Sequence, residues 1–225
     1  MPLLLAVGAL GCDGTISVRF STGPQEFEVS TSEVALPTEL RDESTGTIQS
    51  VMCGPMGMCP PSDLVTLDCT GGVCDPAPRT ISVPVGGVVD VDELLADTRE
   101  VGLRVVDSYD FEQVAYDITL NTLTVPVSEI EVYWGPEAAT TIDPALGVRR
   151  FGTIGAINAG QTSSGQMNID GAGAMALSDF LVGGGGRIRF FAQTTVDLDP
   201  GDPFPEGAVR MTVNITIRAV GSIVD

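Results

Sequence analysis

The chain has 225 residues, with 30 acidic and 11 basic side chains (all arginine), a formal net charge of −19, no histidine and 43% apolar residues. So acidic a surface repels phosphate and anionic lipid, which excludes nucleic acid as a partner and requires any membrane attachment to be covalent. The absence of histidine excludes Ser-His-Asp and Cys-His catalysis and His-ligated metals, and no Gly-x-Ser-x-Gly elbow is present, so no catalytic residue is assigned.

Residues 2–10 form an apolar run too short to cross a bilayer as a helix and suited to the apolar region of a secretory signal. The segment Ala9-Leu10-Gly11-Cys12 that ends it resembles the lipobox of bacterial lipoproteins. That resemblance implies a signal peptide over 1–11, cleaved before Cys12, and lipidation of Cys12. It implies one exported domain over 12–225, held at the cell envelope by that lipid on the periplasmic face or the cell surface. No positive charge precedes the apolar run, so a natural start further upstream is expected.

Short strands are predicted over 15–20, 25–30 and 46–52. Cys53, Cys59, Cys69 and Cys74 follow, in a segment rich in Gly and Pro. Four cysteines in an exported chain point to two disulfides, and three pairings are open. Their gaps are wider than the C-x-x-C spacing of zinc sites, so a stapled loop over 53–78 is the expectation. Further strands are predicted over 80–85 and 102–107. A short helix over 92–99 is predicted between them, with Asp92 as N-cap and Asp90, Glu93 and Asp97 beside it.

Over 112–120, Val114, Tyr116, Ile118 and Leu120 share one face by strict alternation. Ile130, Val132 and Trp134 alternate with Glu129, Glu131 and Tyr133, which places the only tryptophan in the core. Residues 121–127, Asn-Thr-Leu-Thr-Val-Pro-Val, followed by 130–133, resemble the Asn-centred turn and Pro-containing strand of the LEA2 (WHy-type) sandwich. The chain is also similar to envelope lipoproteins that carry a Cys-rich segment before such a sandwich. Neither resemblance implies a reaction.

A second helix is predicted over 172–182, capped by Asp170, stopped by Gly183–Gly186, with Ala174, Leu177 and Leu181 inward. The glycine run lacks a following Lys-Ser/Thr and is no P-loop. Strands are predicted over 187–196 and 208–220. The latter puts Val209, Met211, Val213, Ile215, Ile217 and Ala219 on one face. Between them, Asp197, Asp199 and Asp202, with Glu206 nearby, supply hard oxygen ligands suited to Ca²⁺ but miss the EF-hand pattern.

The expectation is a mainly β chain: a single antiparallel β-sandwich, Ig-like or LEA2-like, with one or two short helices and a disulfide-stapled loop. Its expected role is a non-enzymatic binding or structural module with an envelope protein or glycan as partner. The alternatives are a Ca²⁺-stabilised surface adhesion module and a carboxylate-only glycan hydrolase.

Overall fold

The computed structural model describes residues 6–7, 15–31, 38–60, 67–76, 79–91, 105–196 and 199–222. Cys12 and Asp197 lie outside this set, as does the predicted helix over 92–99. The first sheet comprises β1 (Ala6–Val7), β2 (Thr15–Ser21), β3 (Gln25–Ser30), β8 (Val105–Asn121), β11 (Ser164–Gln166) and β14 (Ala208–Ser222). The second comprises β7 (Arg79–Asp90), β9 (Ile130–Pro136), β10 (Arg149–Ile154), β12 (Asn168–Ile169) and β13 (Arg187–Val196). All pairings in both are antiparallel, and the two pack as the expected sandwich. A third sheet of β4 (Val51–Met52), β5 (Leu67–Thr70) and β6 (Val73–Pro76) stands apart from them.

Strand β14 organises the first sheet. One flank pairs along β8; the other carries β3 against Ala208–Val213 and β2 against Thr216–Ser222. β2 and β3 therefore run in line, broken where Thr22 bonds Ile215 through both its amide and its hydroxyl. The order in the second sheet is β12-β10-β9-β13-β7. The chain crosses between sheets at Met167, where β11 on β8 gives way to β12 on β10.

β8 departs from the predicted alternation. Its register against β14 slips three times, leaving Asp107, Glu112 and Thr119 as extra residues. The slip at Thr119 exchanges faces: Ile118 is buried, Leu120 is 37% exposed and Asn121 is buried in its place. The predicted grouping of Leu120 with Val114 and Ile118 is thereby corrected. The buried Asn121 amide donates to the Asn158 and Gln161 carbonyls and accepts from the Leu123 amide, so its burial leaves no unmet bond.

Helix α1 (Gly171–Val182) forms where predicted. The Asp170 carboxylate accepts from the Gly173 amide at 2.8 Å. Leu177 is buried, Ala174 and Leu181 pack against the core, and the Ser178 hydroxyl accepts from the Tyr109 amide of β8. Trp134 is buried as predicted. Its indole donates to the Gly173 carbonyl at 3.0 Å and lies 5.4 Å from the Phe180 ring. Gly173 is required at this contact: a Cβ there would meet the Arg150 carbonyl oxygen at 1.6 Å.

Candidate functional site

The inward face of β14 changes character along its length. Ile217 and Ala219 are fully packed, while Met211, Val213 and Ile215 are only half-buried. These three face Val132, Phe190 and Ala192 of the second sheet across a cavity of about 200 Å³. Phe27 and Val29 border it from β3, Val85 from β7, and Phe151 and Met167 from the opposite side. Ser30, Thr31, Thr194 and Pro205 also border it, yet the surface it presents is almost wholly apolar. Thr31 is itself engaged with the Gly207 carbonyl. Phe190, Ala192 and Thr194 alternate along β13 and so share one face, but no local signal distinguishes a cavity wall from a packed core.

Its lining offers almost no polar partner to water, which needs two or more to be held in place. It exceeds the engineered apolar cavity of about 150 Å³ that takes up benzene, and falls below drug-sized pockets of about 300–1,000 Å³. Its chemistry is that of a receptor for an alkyl chain or a small apolar ring.

The cysteine segment forms a built module rather than an irregular loop. Gly71 and Gly72, at φ +65° and +89°, make the two-residue turn joining β5 to β6, and Cys69 stands opposite Cys74 across the hairpin. Cys53 bridges to Cys69 and Cys59 to Cys74, with Cα separations of 5.9 and 5.7 Å. The Cys74 and Cys53 sulfurs of the two bridges lie 3.7 Å apart. Cys53, Cys59 and Cys74 are thus close together, but as disulfide sulfurs they offer no thiolate to a metal. The predicted strand over 46–52 shrinks to Val51–Met52. Its first residues instead close a turn, with the Gly46 amide donating to the Asp42 carbonyl.

The module is tied to the sandwich through Leu40, Ile48, Leu67 and Val125, with Phe204 packed against them. Arg41 stacks over Phe204, 5.7 Å from the ring centroid, and pairs with Glu206. Glu206 is thereby engaged by a guanidinium. Asp199 and Asp202 sit in one turn, the Asp202 amide donating to the Asp199 carbonyl, and the Asp202 carbonyl accepts from the Ile48 amide. Among the described residues no three carboxylates converge. A second, more open pocket of about 640 Å³ lies between β8 and α1 and holds Asp110 and Glu112, both ion-paired with Arg218.

No protein-family model and no curated protein matches the chain. Three solved virus structures are similar to it. A chain of the mud crab tombus-like virus has a TM-score of 0.33 at 11% identity, covering 100% of this chain and 90% of that one. A chain of Desmodium yellow mottle tymovirus has a TM-score of 0.25 at 12% identity, covering 78% and 95%. A chain of the infectious bursal disease virus Gx strain has a TM-score of 0.26 at 10% identity, covering 98% and 55%. Likeness at this level carries no functional argument.

Proposed function

We propose that this chain is an exported, lipid-anchored, non-enzymatic binding module of the cell envelope, and that it holds an alkyl chain or small apolar ring between its two sheets. The observation behind the ligand is the apolar cavity bounded by Met211, Val213, Ile215, Val132, Phe190 and Ala192. Natural cores reach near-crystalline packing density, and a void lined by aliphatic side chains forfeits their dispersion contacts. An apolar guest restores those contacts and takes its own surface out of water, at roughly 25 cal/mol per Å².

The anchor rests on the lipobox resemblance at Cys12, three residues before β2; cleavage there would remove β1, which pairs with β2 at the edge of the first sheet. Thr15 pairs with Ser222, at the C-terminal end of β14. Residues 202–207 and the disulfide module gather at its other end. At about 3.4 Å per residue, the 15 residues of β14 span roughly 50 Å. A lipid on Cys12 would therefore leave the disulfide module facing away from the membrane.

Two measurements test this reading. The intact mass of the protein from its native membrane fraction should begin at Cys12 and carry acyl chains; an unprocessed, unlipidated chain overturns the anchor. A small apolar probe, n-butylbenzene, titrated into the protein by calorimetry should bind saturably. Ala192→Leu and Val213→Phe, which fill the cavity, should abolish that binding while leaving thermal stability equal or higher. Undiminished binding in both variants overturns the cavity as the site.

A further inference from the structure

Residues 52–59 read Met-Cys-Gly-Pro-Met-Gly-Met-Cys. Met52, Met56 and Met58 are 75%, 90% and 57% exposed, although methionine is ordinarily a core residue. One disulfide-stapled turn carries all three. Met52 and Met58 are both in extended backbone, and each directly precedes a cysteine packed against the module's core. Successive side chains in extended backbone point to opposite sides, so both methionines turn outward.

The two disulfides hold Cys53 and Cys59 side by side, because their partners Cys69 and Cys74 are directly opposed in the hairpin. The Gly54 amide donates to the Met58 carbonyl at 2.8 Å and the Gly57 amide to the Gly54 carbonyl at 3.1 Å. The turn they close carries Met56 between the other two. Met56 itself is held at φ +65°, a backbone region costly for a residue with a side chain.

We infer that Met52, Met56 and Met58 form a surface site for a soft monovalent cation, copper(I) in the first instance. Three neutral thioethers are soft donors that select copper(I) and discriminate against Ca²⁺, Mg²⁺ and Zn²⁺. The neighbouring cysteines, being paired, do not compete for the metal. The net charge of −19 draws cations towards the surface. Thioethers have no proton to release, so affinity stays flat between about pH 5 and 8, where sites built on histidine or thiolate lose metal.

The test uses the full chain solubilised from membranes, labelled at the methionine methyl carbons, with any free thiol capped by N-ethylmaleimide. Silver(I) serves as the redox-inert probe. One equivalent should shift the methyl signals of Met52, Met56 and Met58 and leave those of Met175 and the cavity-lining Met167 and Met211 in place. Anaerobic competition with a copper(I) chelator should show the combined Met56→Leu and Met58→Leu variant weakened by more than about tenfold, a scale that even outer-shell changes at metal sites reach. Leucine preserves the size of these exposed side chains, so the thermal midpoint should not move. Met175→Leu, 62% exposed on α1, should bind as the parent does. Equal affinity in the combined variant, shifts shared by Met175, or no shift at stoichiometric silver overturns the site.

Discussion

The sandwich and the disulfide module solve the same problem with different means. The sandwich gathers Phe20, Trp134, Phe151 and Leu177, none more than 3% exposed, from β2, β9, β10 and α1 into one continuous core. The module has a core of Leu40, Ile48, Leu67, Cys74 and Val125, of which Val125 comes from a loop of the sandwich. So small a unit buries too little apolar surface to hold itself, and covalent closure takes over. The comparison teaches that the sandwich draws its stability from packing, while the module substitutes covalent bonds for packing and displays side chains at its surface. The same module that lacks a large core carries three exposed methionines.

The largest expected effect tests this division. Replacing all four bridging cysteines by serine removes two closures of 16 and 15 residues, each contributing about 3 kcal/mol. Hydrogen exchange should then show residues 51–76 open while the amides of β13 and β14 remain protected. Loss of protection throughout would mean that the two regions fold as one unit.

Next in size is Gly173→Ala. Helix propensity alone favours alanine by about 1 kcal/mol. The Arg150 carbonyl stands where the new methyl would go, so α1 must lift from β10 and the Trp134 hydrogen bond with it. A net destabilisation of about 2–4 kcal/mol, within the range of strongly disruptive core changes, should appear as a lower thermal midpoint and increased Trp134 exposure. A stabilised variant would show that the helix seat is loose. The disulfide module should be unaffected, which a proteolysis pattern confined to the sandwich would show.

The smallest effect is Asp170→Ala, which removes the carboxylate accepting from the Gly173 amide. It should cost about 1 kcal/mol in chemical denaturation, and Asp170→Ser should recover most of it.

Much of this architecture was legible in local pattern. The period-2 alternation from Val209 to Ala219 reports a strand with one buried face, and β14 extends over Ala208–Ser222. The strand over 187–196 and the Asp170 cap were equally readable, because both depend on neighbours in sequence. β10 was not. Its six residues, Arg-Arg-Phe-Gly-Thr-Ile, carry a slip at Phe151 and a glycine whose Cβ would meet the Asn168 carbonyl oxygen at 2.4 Å. That glycine answers to β12, which no local period reveals. The β5–β6 hairpin did carry a signal in Gly71-Gly72, set among cysteines that pointed to a loop instead.

By itself, then, the sequence determined a strand-rich, acidic, histidine-free chain with four cysteines in one segment, an N-cap at Asp170 and a long alternating strand near its end. These follow from composition and from periodicity, which each residue shares with its chain neighbours. Only the tertiary structure decided that Cys53 pairs with Cys69 and Cys59 with Cys74, since either alternative fits the same spacing. It alone decided that β8 slips three times against β14, and that Met211, Val213 and Ile215 border a cavity where Ile217 and Ala219 on the same face are packed. The physical reason is common to all three. Each depends on how far apart strands distant in sequence come to rest, and alternation encodes which way a side chain points, not what it meets.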